Sequence, residues 1–164
     1  MLILYMMLHE IISIEDENGV DELADLLDDF LNKSTTEEPY LIHYTFLLKL
    51  FDLLSTVNLD TLVNQDQEIT IDIHGFPRTK RYRIVKPLKK IPIYELRYGI
   101  SRDEHLRMLF FPITYKDTSF YVFSKAFIKH RTIQCDPTDQ NRDLMYNLYI
   151  KVKTNPGTYL EEAE

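Results

Sequence analysis

The spacing of apolar residues changes from a helical period to a strand period near residue 68, and this change limits the fold more than any other feature of the sequence. Between residues 20 and 57, apolar side chains recur every three or four positions, in two stretches that Pro39 separates. That spacing predicts two amphipathic helices joined as a hairpin. From Ile69 onward, apolar residues alternate with polar ones or form β-branched and aromatic runs, which predicts strands.

Strand-like segments fill the middle of the chain, and short polar connections separate them. The predicted strands are 69–73, 80–85, 93–98, 106–113 and 120–127, after a polar connection at 58–68. The last three strands are joined by short loops, which favour antiparallel neighbours. The sequence therefore predicts an antiparallel β-meander.

The two ends of the chain add one strand and one helix to this plan. The apolar run from Leu2 to Leu8 is predicted to be a buried first strand that is free to pair with the later sheet. Asp136 offers an N-cap, Pro137 suits the first helical position, and a helix to about Lys153 follows. The fold class is α+β, with an N-terminal strand, a helical hairpin, a β-meander and a C-terminal helix.

Size and composition favour one domain over residues 1–164. The 164 residues are 45% apolar, which is enough to bury a sizeable core. The domain is divided by composition into an acidic part (1–68), a basic sheet (69–134) and a C-terminal helix and tail (135–164). Cys135 is the only cysteine, so no intramolecular disulfide and no thiolate metal cage is expected. The segment 2–8 is too short to cross a membrane, and we expect a cytoplasmic protein.

Charge is separated along the chain much more strongly than the net value of −7 suggests. Residues 1–70 contain two basic and fifteen acidic side chains, whereas residues 71–134 contain fourteen basic and five acidic ones. A local excess of this size attracts polyanions or an acidic partner segment. An alternative is that the acidic helices cover the basic sheet and neutralise it internally.

The second half of the chain resembles the RelE/HigB-like toxins of type II toxin–antitoxin systems, in particular the phage-associated HigB-like branch. Four stretches match features of that family in order: Lys86–Leu88, Ile93–Arg97, Leu106–Phe111 and Ala126–Thr132. The resemblance implies a small sheet flanked by helices. It also implies a metal-independent endoribonuclease, or mRNA interferase, that many family members direct at mRNA on the ribosome until an antitoxin protein covers it.

Two arginines and one basic triplet are the candidate site residues. The resemblance places Arg97 and Arg107 on an RNA-binding face, where each guanidinium can grip phosphate through two bonds. Lys129, His130 and Arg131 are the catalytic candidates, because the histidine can move protons while its cationic neighbours hold the scissile phosphate. The alternatives are an ion pair of each arginine with Glu95 or Glu104, and an ordinary surface role for the histidine.

The remaining histidines and the aromatic residues favour structural roles. His9, His43, His74 and His105 lack metal-ligand spacing, so neither a metal nor a cofactor is predicted. Four aromatic residues interleave with basic positions in a way that could stack bases, although sheet core is the commoner role: Tyr82, Tyr94, Tyr98 and Phe120. The family's catalytic tyrosine has no clear counterpart.

The acidic first half keeps two other functions open. One is a non-catalytic binding protein of a phage or mobile element, whose acidic helix inhibits a basic, nucleic-acid-binding host or defence protein. Its contact residues would be Asp21, Asp25, Asp28 and Asp29. The other is an inactive member of a two-component assembly in which the basic sheet only docks an acidic chain.

Overall fold

The computed structural model describes residues 9–131 and 136–161. The predicted first strand at 2–8 lies outside these ranges. The elements are β1 (Glu10–Ser13), α1 (Glu22–Ser34), α2 (Glu38–Thr56), α3 (Leu59–Asn64), β2 (Gln67–Ile73), β3 (Phe76–Tyr82), β4 (Val85–Pro87), β5 (Tyr94–Gly99), β6 (Glu104–Tyr115), β7 (Thr118–His130), α4 (Thr138–Thr154) and α5 (Pro156–Leu160). The mixed α and β composition is as expected from the sequence.

A five-stranded sheet in the order β1-β7-β6-β5-β4 forms the centre of the protein. Strands β5, β6 and β7 are antiparallel neighbours, which confirms the meander, and β1 pairs in parallel with β7. Lys116 and Asp117 form the turn between the two longest strands, and both have positive φ angles, 49° and 64°. Two such residues give a turn whose twist matches that of the strands.

Helices cover both faces of this sheet. On one face, Leu47, Leu50 and Leu54 of α2 pack in the same cluster as Phe110 and Tyr121. On the other face, residues of α4 pack in a second cluster. Because side chains alternate along a strand, β6 contributes its even positions to the first cluster and its odd positions to the second: Leu106, Met108 and Phe110 against Leu109 and Phe111.

The β2–β3 hairpin forms a separate two-stranded sheet beside the free end of β5. Strand β4 pairs only with residues 94–96, so the end of β5 lacks a strand partner on that side. Side chains of β3 bind there instead. The Tyr82 hydroxyl donates to the Arg97 carbonyl at 2.7 Å, and the Lys80 ammonium donates to the Gly99 carbonyl at 2.9 Å.

Three local predictions were wrong. The turn between β2 and β3 is formed by His74 and Gly75, with φ of 53° and 82°, so β3 begins at Phe76 and ends at Tyr82 rather than spanning 80–85. The predicted connection 58–68 contains α3, because the Asn58 side chain accepts a hydrogen bond from the Asp60 N–H and caps a short helix.

The third difference is at α4, which begins at Thr138. Asp136 lies one residue before the cap position, although its carboxylate still accepts the Thr138 N–H at 2.9 Å. None of the helices in the described ranges combines the length and hydropathy that crossing a membrane requires.

Candidate nucleic-acid interface

A cavity of about 470 Å³ opens at the free end of β5, between this strand and the β2–β3 hairpin. We call it the basic groove. Its cationic lining residues are Lys80, Arg81, Arg83, Arg97 and Arg107, and its other lining residues are Tyr82, Tyr98, Gly99 and His105. Among the residues that the structure describes, no carboxylate lines it, so the groove concentrates positive potential.

Arg97 and Arg107 lie directly opposite each other on β5 and β6 and share one carboxylate. The Nε atom of each is 3.5 Å from the same oxygen of Glu95. The side chains of Glu95 and Arg107 are only 6% and 9% exposed, whereas that of Arg97 is 35% exposed. One buried carboxylate between two guanidiniums leaves a surplus positive charge at the groove.

The two guanidiniums retain hydrogen-bonding capacity. The Nε of Arg97 is buried and makes no hydrogen bond within the part of the chain that the structure describes. Arg107 donates from Nη1 to the Leu106 carbonyl at 3.2 Å. Burial lowers the pKa of Arg107 and the charge of Glu95 opposes this, so the guanidinium stays protonated. Such a pair of planar donors suits the oxygens of a phosphate.

Two further arginines, Arg81 in β3 and Arg83 just after this strand, form the outer wall. Arg83 Nε is 3.2 Å from an Asp66 oxygen, and Arg81 Nη1 is 3.6 Å from a Glu68 oxygen. All four side chains are 43% to 68% exposed. Exposed pairs of this kind contribute between zero and about 1 kcal/mol, so both arginines can exchange their carboxylates for a ligand phosphate at little cost.

His105 also lines the groove, which the sequence interpretation missed. It stands two residues before Arg107 on β6, so both side chains leave the strand on one face. The predicted strand began at Leu106, so His105 lay one residue outside it, and extending that strand by one residue was the available signal. An imidazole in the lining of this groove supplies a group that can accept a proton on one nitrogen and donate one from the other.

The catalytic triplet predicted at the end of β7 does not line the groove. Lys129 is opposite His105 in the sheet, and its ammonium donates to the Asp136 carboxylate at 2.7 Å. His130 is the next residue along the strand and so projects from the other face. Arg131 is exposed beyond the strand end, where its N–H donates to the Asp103 carbonyl.

The pairing of Lys129 with Asp136 has a measurable electrostatic consequence. Partial burial of Asp136 opposes ionisation, but hydrogen bonds from Lys129 and Thr138 prevail and lower the pKa of its carboxyl to about 2. The ammonium of Lys129 is therefore bound to a carboxylate at neutral pH.

The acidic side chains of α1 lie away from the basic groove, since this helix packs against α2 and β7. Asp21 accepts the Ala24 N–H as the helix cap, and Asp29 pairs with Lys33 at 2.9 Å. Asp25 and Asp28 are exposed. The ion pairs of the groove arginines are made by Asp66, Glu68 and Glu95. Internal neutralisation by the acidic helix, the alternative raised by the sequence, occurs at Lys125 of β7, which is 3.8 Å from Glu22 of α1, but not at the groove arginines.

No group of three histidine, cysteine or acidic side chains within residues 9–131 and 136–161 is arranged to hold a metal ion. No protein-family model, curated protein or solved structure matches this chain. Its function must therefore be argued from the residues themselves.

Proposed function

We propose that this protein binds single-stranded RNA in the basic groove and cleaves it as a toxin-like endoribonuclease, an mRNA interferase that an antitoxin protein neutralises. The main support is the position of Arg97 and Arg107, which face one open cavity and share a single carboxylate. An acidic antitoxin segment would bind to the same groove and exclude RNA. On this proposal the messenger is the substrate, whether free or on the ribosome.

Cleavage requires attack of a ribose 2′-hydroxyl on the adjacent phosphate. Arg97 and Arg107 would hold the phosphate and stabilise the charge that develops on its oxygens. His105 is the lining residue suited to proton transfer, either from the attacking hydroxyl or to the leaving 5′-oxygen. The predicted triplet remains a second catalytic hypothesis, in which Lys129 must first leave Asp136.

RNA affinity tests the binding step. Arg97→Ala should weaken binding of a short single-stranded RNA by about tenfold near 0.1 M salt, which corresponds to about 1.4 kcal/mol. The logarithm of affinity should also depend less steeply on salt, by about 0.7 for the lost phosphate contact. Fluorescence anisotropy measures both quantities.

Lys151→Ala is the matched control, because it removes a positive charge from α4, where Lys151 pairs with Glu17. It should leave RNA affinity unchanged. Equal effects of the two substitutions would show that binding follows net charge and that the groove is not the site.

Cleavage of a labelled RNA, and arrest of bacterial growth on expression, test the catalytic step. His105→Ala should abolish both while preserving RNA affinity. If His105→Ala cleaves RNA normally and either Lys129→Ala or His130→Ala fails to cleave it, the triplet is catalytic. Binding without any cleavage by the native protein would contradict the ribonuclease proposal.

The second candidate function is the acidic binding protein, and the outer face of α1 favours it. Asp25 and Asp28 are exposed and make no ion pair among the described residues. A lysine-rich peptide is a suitable probe of this face. Double charge reversal, Asp25→Lys with Asp28→Lys, should abolish peptide binding without changing RNA affinity, whereas unchanged peptide binding would exclude the face.

A further inference from the structure

A second cavity, of about 350 Å³, adjoins the basic groove, and Lys80 and Tyr98 line both. We call it the α2–β3 cleft. Helix α2 contributes Ile42, His43 and Phe46 to its lining, and β3 contributes Arg78 and Thr79. The two cavities therefore meet at Lys80 and differ in character, since one is lined mainly by cations and the other mainly by rings and aliphatic side chains.

An aromatic pair forms the inner wall of the cleft. Nδ1 of His43 lies 2.7 Å from the Tyr98 hydroxyl, and the two rings meet edge to face with centroids 5.6 Å apart. The Phe46 ring lies 6.0 Å from the Tyr98 ring. These contacts fix the imidazole in one orientation. Tyr98 and Phe46 are only 1% and 2% exposed, so their rings support His43 without offering a face to a ligand.

His43 has hydrogen-bonding capacity to spare. Burial lowers the pKa of His43, with the charge of Lys80 acting in the same direction, so the ring is neutral at physiological pH. Burial raises the pKa of Tyr98, which remains a phenol. Because Nδ1 is engaged with Tyr98, Nε2 is the free nitrogen, and it makes no hydrogen bond to the described residues. A neutral imidazole edge can donate to or accept from a planar heterocycle.

Lys80 places a positive charge at the junction of the two cavities. Its ammonium lies 4.3 Å from the centre of the Tyr98 ring and 5.1 Å from that of Phe46, and it donates to the Gly99 carbonyl. The ammonium can thus neutralise a phosphate at the end of the groove while its stem packs against the aromatic wall.

We propose that the α2–β3 cleft is a nucleobase-binding subsite, which receives the base of the nucleotide whose phosphate is held in the basic groove. This inference rests on the proposed RNA binding and specifies its recognition step. Single-stranded RNA is read by bases that leave the stack, pack on aromatic rings or guanidinium planes, and hydrogen-bond through their edges. The cleft offers the exposed guanidinium of Arg78 as a plane for stacking and the edge of His43 as a hydrogen-bonding partner.

The test compares two oligonucleotides that differ in one base. Both have 2′-fluoro sugars, which lack the attacking hydroxyl, and one has an abasic position at its centre. The native protein should bind the complete oligonucleotide about tenfold more tightly, since loss of one base stack costs from several-fold to about 100-fold. Ile42→Trp, which fills the cleft, should remove this difference and leave affinity for the abasic oligonucleotide unchanged.

Leu48→Trp is the matched control, because Leu48 is on the same helix, is 52% exposed and does not line the cleft. It should preserve the tenfold difference. A second measurement needs no variant: 2-aminopurine at the central position should lose fluorescence on binding to the native protein, as stacking quenches it.

The possible failures are distinguishable. Equal affinity of the native protein for the two oligonucleotides, or an unquenched 2-aminopurine in the bound state, would overturn the base subsite while leaving RNA binding intact. Absence of binding to either oligonucleotide would overturn the proposed function and the subsite together.

Discussion

Two cationic sites in this protein have opposite balances of charge. In the basic groove, Arg97 and Arg107 share the carboxylate of Glu95 beside an open cavity. At the other site, the ammonium of Lys125 is 2.6 Å from Asp16 and 3.8 Å from Glu22, and its side chain is 11% exposed. The groove has an excess of cations, whereas Lys125 is outnumbered by carboxylates. If the groove binds RNA as proposed, the count of opposite charges within reach distinguishes it from a structural ion pair.

A β-bulge creates the Lys125 site. Met108 pairs with Ala126 and Phe110 pairs with Phe123, so Leu109 faces both Ser124 and Lys125. The extra residue redirects the strand locally and brings the ammonium to the loop between β1 and α1. There the hydrogen bond from Lys125 is the main cause of a lowered pKa at Asp16. The bulge thus joins the first described strand and helix to the meander.

The largest effect should come from Lys125→Met. This change leaves two carboxylates without their buried partner, and breaking such a pair typically costs about 3 kcal/mol. Arg97→Met should reduce the free energy of unfolding by less than about 1 kcal/mol, because Arg97 is partly exposed and Glu95 keeps Arg107. Urea unfolding measures both. Equal losses of unfolding free energy in Lys125→Met and Arg97→Met would show that the two cations contribute equally to stability and that the proposed distinction is wrong.

Glu95→Gln should have the next largest effect, and in opposite directions on stability and binding. Loss of the shared carboxylate leaves two guanidiniums facing each other, which should lower the free energy of unfolding by about 1 to 2 kcal/mol. The same loss adds one positive charge to the groove, so RNA affinity at low salt should rise several-fold. Urea unfolding and anisotropy titration test the two effects.

Asp16→Asn is the control for Glu95→Gln, because it removes a buried carboxylate at the other cationic site. It should destabilise the protein without changing RNA affinity. A rise in affinity with Asp16→Asn, or none with Glu95→Gln, would show that the local balance of charge does not govern binding.

Local sequence patterns were sufficient to predict the helical hairpin and the meander, whereas a common face for Arg97 and Arg107 was implied by the resemblance. The hairpin and the meander each depend on periodicity within one element, or on a short connection between neighbouring strands. The alternation that predicts β6 also puts His105 on the face of Arg107, but this step was missed because the histidine was weighed only as a metal ligand. The aromatic Tyr98 was expected in the sheet core, and it is buried there while also lining both cavities.

Long-range placement could not be predicted in the same way. The position of the β2–β3 hairpin beside β5 depends on Lys80 and Tyr82, which bond to carbonyls of residues 15 to 19 positions further along the chain. The ion pair between Lys129 and Asp136 likewise joins the end of a strand to the start of a helix. The positions of Lys80, Tyr82 and Lys129 in the sequence do not specify the partners that these residues bind.

The Lys129–Asp136 pair is a third case, with one cation for one carboxylate, and its removal should have the smallest effect on stability. Both side chains are more than a third exposed, so Lys129→Met should cost about 0.5 kcal/mol at neutral pH. The pKa of Asp136, about 2 in the native protein, should rise in the variant, because the hydrogen bond and the charge of Lys129 are lost while the bonds from Thr138 remain. A lowered pKa in the folded state stabilises the protein above pH 4, and this contribution is lost as the pH falls from about 4 to 2. The stability difference between the two proteins should therefore shrink through this range and vanish only below pH 2, where the carboxyl is protonated in both.

An NMR titration of the Asp136 carboxyl, with Lys151→Met as the control that leaves it unchanged, measures this shift. An unaltered pKa in Lys129→Met would show that Thr138 alone lowers it.

Cleavage assays on the same variant then decide between the two catalytic hypotheses. If Lys129 only balances Asp136, its loss changes the pKa and leaves cleavage intact, because His105 and the two arginines remain in the groove. If cleavage is abolished as well, the Lys129 ammonium must leave the Asp136 carboxylate during turnover. In that case a residue of a balanced ion pair is as necessary for cleavage as the arginines of the groove.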